Sequence, residues 1–82
     1  ARTAVTARTI NNGQSCIAAK RFVVHAAVYD EFAERLVAGM RALRVGDPMD
    51  DGVQVGPLAT AAIRDEVHDQ VRRTLDAGAR LH

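Results

Sequence analysis

The chain has 82 residues, with 11 basic and 10 acidic side chains and a net charge of +1, a balance that argues against electrostatic binding of nucleic acid or of a membrane surface. Apolar residues make up 48%, well above the disordered regime, and no run approaches the ~20 apolar residues of a membrane span. One cysteine can neither staple the fold nor build a zinc cluster by itself, and with no export signal at the start the expected compartment is the reducing cytoplasm.

The opening segment, Ala1 to Ile10, places Ala4, Val5, Ala7 and Ile10 at mixed three- and four-residue spacing, a weak helical pattern with no capping residue ahead of it. Asn11-Asn12-Gly13 should stop it, because Asn and Gly accept the left-handed conformations that end helices and make turns. Gln14 to Ala19 follows as a short, irregular stretch that holds Cys16. Arg21 to His25 is β-branched and aromatic and reads as a strand. The clearest helix spans Ala27 to Leu43, where Val28, Phe32, Leu36, Met40 and Leu43 form one apolar stripe. Asp30 and Glu31 in its first turn and Arg41 and Arg44 near its last match the helix dipole, and Glu31 pairs with Arg35 at i,i+4.

Gly46 and Pro48 end that helix, within a loop from Val45 to Ala59 that is punctuated by Gly52, Gly56 and Pro57. Thr60 is positioned to cap a second amphipathic helix over Ala61 to Ala77, striped by Ile63, Val67, Val71 and Leu75. Gly78 suits its C′ position, and Ala79 to His82 reads as a strand cut short. Helix, cysteine turn, strand, helix, loop, helix and strand start in that order predict an α/β fold with a partly parallel sheet. Two strands alone cannot make that sheet, a domain this small buries little surface, and both ends fall inside elements. The expectation is a segment of a longer protein.

Cys16 is the first candidate for chemistry. It follows a Gly-containing turn and precedes a short helical turn, where free backbone N–H groups favour a thiolate and face a developing oxyanion. A lone cysteine is otherwise most often a small buried thiol. His25, His68 and His82 fit no metal spacing, and a strand separates His25 from Cys16. The acidic pairs Asp30-Glu31 and Asp65-Glu66 sit in first turns of helices, where the dipole accounts for them, and Asp50-Asp51-Gly52 is an ordinary loop string. Gly46, Gly52 and Gly56 form neither Gly-x-Gly-x-x-Gly nor a P-loop, so no nucleotide motif is present. Arg64, Arg72 and Arg73 alternate with Asp65, Glu66 and Asp69, the pattern of a solvated helix face.

Taken together, Asn12-Gly13-Gln14-Ser15-Cys16-Ile17-Ala18-Ala19-Lys20-Arg21 resembles the active-site cysteine signature of the NAD(P)-dependent aldehyde dehydrogenases. The resemblance runs on through Val28-Tyr29-Asp30-Glu31-Phe32, Val45-Gly46-Asp47-Pro48 and Gly56-Pro57-Leu58, in the family's order. Arg64-Asp65-Glu66-Val67-His68 and Ala77-Gly78-Ala79-Arg80-Leu81 are most similar to the succinate-semialdehyde branch. It implies that residues 1–82 are part of the cysteine-bearing catalytic domain of an enzyme that oxidises a small semialdehyde with NAD or NADP. Cys16 would then be the nucleophile, passing through a thiohemiacetal and a thioester, with its backbone N–H supplying half of the oxyanion hole. Gly13 and Gln14 would shape the turn, and Ser15 and Ile17 would flank the substrate tunnel. No metal, nucleic acid or membrane enters this reading, and the parent enzyme is expected to be a homo-oligomer.

Three positions depart from the family pattern. Thr9 stands where a large apolar side chain is usual. Ile10 stands where well-known succinate-semialdehyde enzymes carry an arginine for the substrate carboxylate. Ala18 excludes the second cysteine that gives some relatives a regulatory disulfide. The family's dinucleotide-binding segment, its glutamate base in a Leu-Glu-Leu-Gly-Gly string, its oxyanion-hole asparagine and its oligomerisation strands do not occur in these residues. The isolated piece is therefore expected to be inactive. The alternative is a non-catalytic structural or gene-remnant module that keeps the fold; a stand-alone redox thiol is disfavoured by the lack of a resolving cysteine.

Overall fold

A computed structural model describes every residue from Ala1 to His82. Its regular elements are all helical. They are α1 (Arg2–Thr9), a 3-10 turn over Ile10–Gly13, a second over Ala26–Val28, α2 (Tyr29–Arg41) and α3 (Ala61–Asp76). The α/β expectation is not met within these residues, since neither Arg21–His25 nor Ala79–His82 forms a strand. The composition of Arg21–His25 favours extended backbone, but a strand exists only when a neighbour supplies the other half of its ladder. The one β-type pairing is a parallel bridge between Val45 and Val55.

Helix α1 has no side-chain cap at its start, as its sequence implies, and it packs on α2. The close approach depends on Gly39, where an added Cβ would lie 2.7 Å from Val5 Cγ2. Phe22 meets Phe32 with ring centroids 6.1 Å apart and a tilt of 50°, a favourable edge-biased pairing that lays the extended segment along α2. Helix α2 is shorter than its apolar stripe suggests. His25 Nδ1 accepts from the Ala27 N–H at 3.2 Å and starts a 3-10 turn instead of the helix proper. Leu43 falls beyond the helical end at Arg41. The Glu31–Arg35 pair is present at 2.6 Å, although both side chains remain largely exposed.

The chain then closes a loop on itself. The Gly46 N–H donates to the Val55 carbonyl at 3.1 Å, the Val55 N–H to the Arg44 carbonyl at 3.2 Å, and the Arg44 N–H to Gln54 Oε1 at 3.1 Å. Thr60 Oγ1 accepts from the Ile63 N–H at 3.2 Å and caps α3 as its sequence predicts. The helix ends at Asp76, and Gly78 takes φ +100° just past it. No other element packs against α3, and Ile63, Val67 and Val71 are each more than two-fifths exposed. The only buried residue of the chain is Ala18. A radius of gyration of 14.1 Å exceeds the ~12 Å of a compact chain of this length, which agrees with a helix that stands apart.

Candidate active-site turn

The turn that carries Cys16 begins with three successive residues in the left-handed region: Asn11 (φ 50°), Asn12 (φ 57°) and Gly13 (φ 74°). Asn and Gly are the residue types that visit this region at least cost, which is why Asn-Asn-Gly ends α1 here. The Gln14 N–H closes the reversal by donating to the Asn11 carbonyl at 3.0 Å. Gly13 is required twice over. Its φ disfavours a side chain, and a Cβ would lie 2.7 Å from Arg8 Nη2 and 3.1 Å from the Arg8 carbonyl.

Arg8, which sequence reasoning passed over, holds the two ends of the turn. Its Nη2 donates to the Gly13 carbonyl at 2.6 Å and its Nη1 to the Ala19 carbonyl at 2.8 Å. The Ala19 N–H donates in turn to the Ala7 carbonyl at 2.8 Å, so the end of the turn is fastened to α1 by both backbone and side chain. Charged donors make such bonds shorter and stronger than neutral ones. Lys20 was also missed. Its Nζ donates to the carbonyls of Ala18 at 2.9 Å, Cys16 at 3.1 Å and Ser15 at 3.5 Å. Neither residue leaves a signature in the sequence, because both bind backbone carbonyls, which every residue type carries.

The structure brings Gly13, Gln14, Ser15, Cys16 and Ile17 together in one reversal, with Gln14, Cys16 and Ile17 exposed, Gly13 and Ser15 half-buried, and the buried Ala18 next in the chain. Cys16 is free and exposed in this chain. Ile17 is 80% exposed. The largest cleft, lined by Arg2, Val5, Thr9, Arg35, Gly39 and Leu43 among others, lies between α1 and α2 and does not include Cys16. One long-range bond ties the turn to the later loop, from the Gly56 N–H to Asn12 Oδ1 at 3.3 Å. His25 is occupied as a cap, and His68 and His82 lie on or beyond α3. None of the helices is long and apolar enough to cross a membrane.

Comparison with known proteins gives these geometric facts a context. The aldehyde dehydrogenase family model matches residues 1–82. A succinate-semialdehyde dehydrogenase (NADP+) of Mycobacterium avium is 59% identical over 80 residues, which cover 98% of this chain and 17% of that protein. Its counterpart in Mycobacterium tuberculosis is 62% identical over 77 residues, covering 94% of this chain and 17% of the relative. The Mycobacterium leprae protein of the same name is 61% identical over 77 residues, with the same coverage of 94% and 17%. The chain thus spans about a sixth of the length of the curated relatives it matches.

Proposed function

Because the chain belongs to the aldehyde dehydrogenase family, we propose that it is the nucleophile-bearing segment of a cytoplasmic enzyme that oxidises succinate semialdehyde, or a similar small semialdehyde, to the acid with NADP+. The observation that carries this reading is the exposed Cys16 at the crest of a turn whose backbone is fixed on both sides. The names of the relatives support the substrate and the choice of NADP+ over NAD.

In this reading the Cys16 thiolate attacks the aldehyde carbon, forming an S–C bond while the carbonyl π pair moves onto oxygen. The resulting thiohemiacetal oxyanion is met by the backbone N–H of Cys16, which makes no hydrogen bond within the chain. Gly13 and Gln14 hold the turn, and Ser15 and Ile17 form one wall of the substrate tunnel. A nicotinamide cofactor supplies hydride acceptance. The residues present do not fit its binding: Gly46, Gly52 and Gly56 belong to the closed loop after α2, and no buried side-chain polar atom lacks a partner. The chemistry assigned to this chain therefore stops at the thiohemiacetal.

The same reading accounts for the uncovered surfaces. Arg21–His25 would join a sheet completed by other segments of the longer enzyme, and the apolar stripe of α3 would be covered by them, giving the α/β domain that the family resemblance implies. The isolated 82 residues would be inactive. The test is NADPH production from succinate semialdehyde by the full-length enzyme that carries this segment. Wild-type turnover that falls to background in the Cys16→Ala variant supports the proposal. Turnover that survives the substitution, or a wild type with none, refutes it.

A further inference from the structure

Of the six N–H groups from Gln14 to Ala19, those of Gln14, Ala18 and Ala19 donate to backbone carbonyls, while those of Ser15, Cys16 and Ile17 donate to nothing in the chain. The carbonyls of the same stretch are treated in the opposite way. Gly13 and Ala19 are bound by Arg8, and Ser15, Cys16 and Ala18 by Lys20. An ammonium has three N–H donors, and Lys20 finds one carbonyl for each. All peptide bonds are trans, so the N–H of each residue points away from the carbonyl before it. With the Ser15 and Cys16 carbonyls both drawn to Lys20 Nζ, the N–H groups of Cys16 and Ile17 are both directed away from it.

We propose that Arg8 and Lys20 are positioning residues that hold these two N–H groups in the orientation needed to receive an oxyanion. Arg8 fixes the ends of the turn and Lys20 fixes its middle. Neither touches the reacting atoms. The inference rests on the reading of Cys16 as a nucleophile that attacks a carbonyl, and it adds two side chains and an Ile17 donor to that reading. Without the Lys20 ammonium the Cys16–Ile17 peptide plane loses the only partner of its carbonyl, whereas the Ser15–Cys16 plane keeps the Ala18 N–H on the Ser15 carbonyl at 3.0 Å. The Ile17 donor then swings out of line while the thiol keeps its exposure. Orientation of this kind matters because a donor misplaced by about 1 Å loses much of its effect on a carbonyl attack.

Two reagents separate orientation from mere exposure. Iodoacetamide reacts by displacement at a saturated carbon: the S–C bond forms, the C–I bond breaks, and iodide leaves with the electron pair. No oxyanion develops. With p-nitrophenyl acetate the thiolate adds to a carbonyl, an oxyanion forms and collapses, and nitrophenolate leaves. Neither reaction requires a cofactor. In the full-length enzyme, Lys20→Met is expected to slow acylation by the ester about tenfold while alkylation changes less than twofold, and Arg8→Met to do the same. Lys20→Arg, which keeps charged donors on a long stem, recovers most of the loss. Lys20 is exposed and its side chain bonds only carbonyls of the turn, so its variants are expected to leave the helices intact, with an unchanged circular dichroism spectrum.

A fall in the acylation-to-alkylation ratio of fivefold or more supports the proposal. An unchanged ratio overturns it, whether both rates fall together or neither moves, as does a wild type that the ester fails to acylate. Semialdehyde oxidation by the wild type is measured alongside. Its absence with a shifted ratio counts against the dehydrogenase reading alone, and its presence with an unshifted ratio counts against the positioning role alone.

Discussion

The cysteine turn and α3 are both exposed, yet they are held in opposite ways. In the turn, two cationic side chains bind the carbonyls of Gly13, Ser15, Cys16, Ala18 and Ala19, and the Ala19 N–H fastens the end of the turn to the Ala7 carbonyl of α1. Helix α3 has a well-formed cap and surface ion pairs, Arg64–Asp65 at 2.6 Å and Arg73–Asp69 at 3.0 Å, but no tertiary neighbour for its apolar stripe. Polar bonds made within a dozen residues can organise a turn without a core. A helix of 16 residues draws most of its stability from a packed face, and α3 lacks one here. The segment therefore fixes the backbone around Cys16 by its own polar bonds, while the apolar stripe of α3 stays uncovered.

The sharpest way to break this contrast is Gly13→Ala. The substitution places a side chain at φ +74° and against Arg8, at an expected cost of about 3 kcal/mol from left-handed strain and one lost charged hydrogen bond. The Ala19 amide, which reports closure of the turn, should lose most of its hydrogen-exchange protection. Gly39→Ala should cost less, about 1–2 kcal/mol, because Val5 must give way while the helix itself gains from alanine. It loosens α1 from α2, and the change is readable in the exchange of the Val5 and Gly39 amides.

Thr60→Ala is expected to have the smallest effect, about 1 kcal/mol from the lost cap. That loss should appear only in α3. Since α3 touches no other element, Thr60→Ala and Gly39→Ala should add without coupling in a double-mutant comparison. A coupling well beyond ~0.5 kcal/mol would show that α3 communicates with the α1–α2 pair after all.

Some of this was legible in the sequence. The stripes of α2 and α3, the Thr60 cap, the Gly78 terminus and the left-handed Asn11-Asn12-Gly13 reversal are local signals, and each has its local physical cause. The start of α2 was misplaced because His25 offered a side-chain acceptor that the periodicity of Val28 and Phe32 does not register. The strands failed for a different reason: Phe22, Val23 and Val24 state a preference for extended backbone, but pairing belongs to two segments at once. Within the site, Cys16 and its neighbours were recognisable as a string. Arg8 and Lys20 were not, because their partners are carbonyl oxygens whose positions exist only once the turn has formed.

The claim that the turn organises itself while α3 does not is tested most directly by residue-resolved amide hydrogen exchange on the 82-residue chain. The account predicts measurable protection at Gln14, Ala18 and Ala19, reduced in Lys20→Met at Ala18, with α3 amides from Arg64 onward less protected than these three. Protection in α3 that equals or exceeds that of the turn would contradict it.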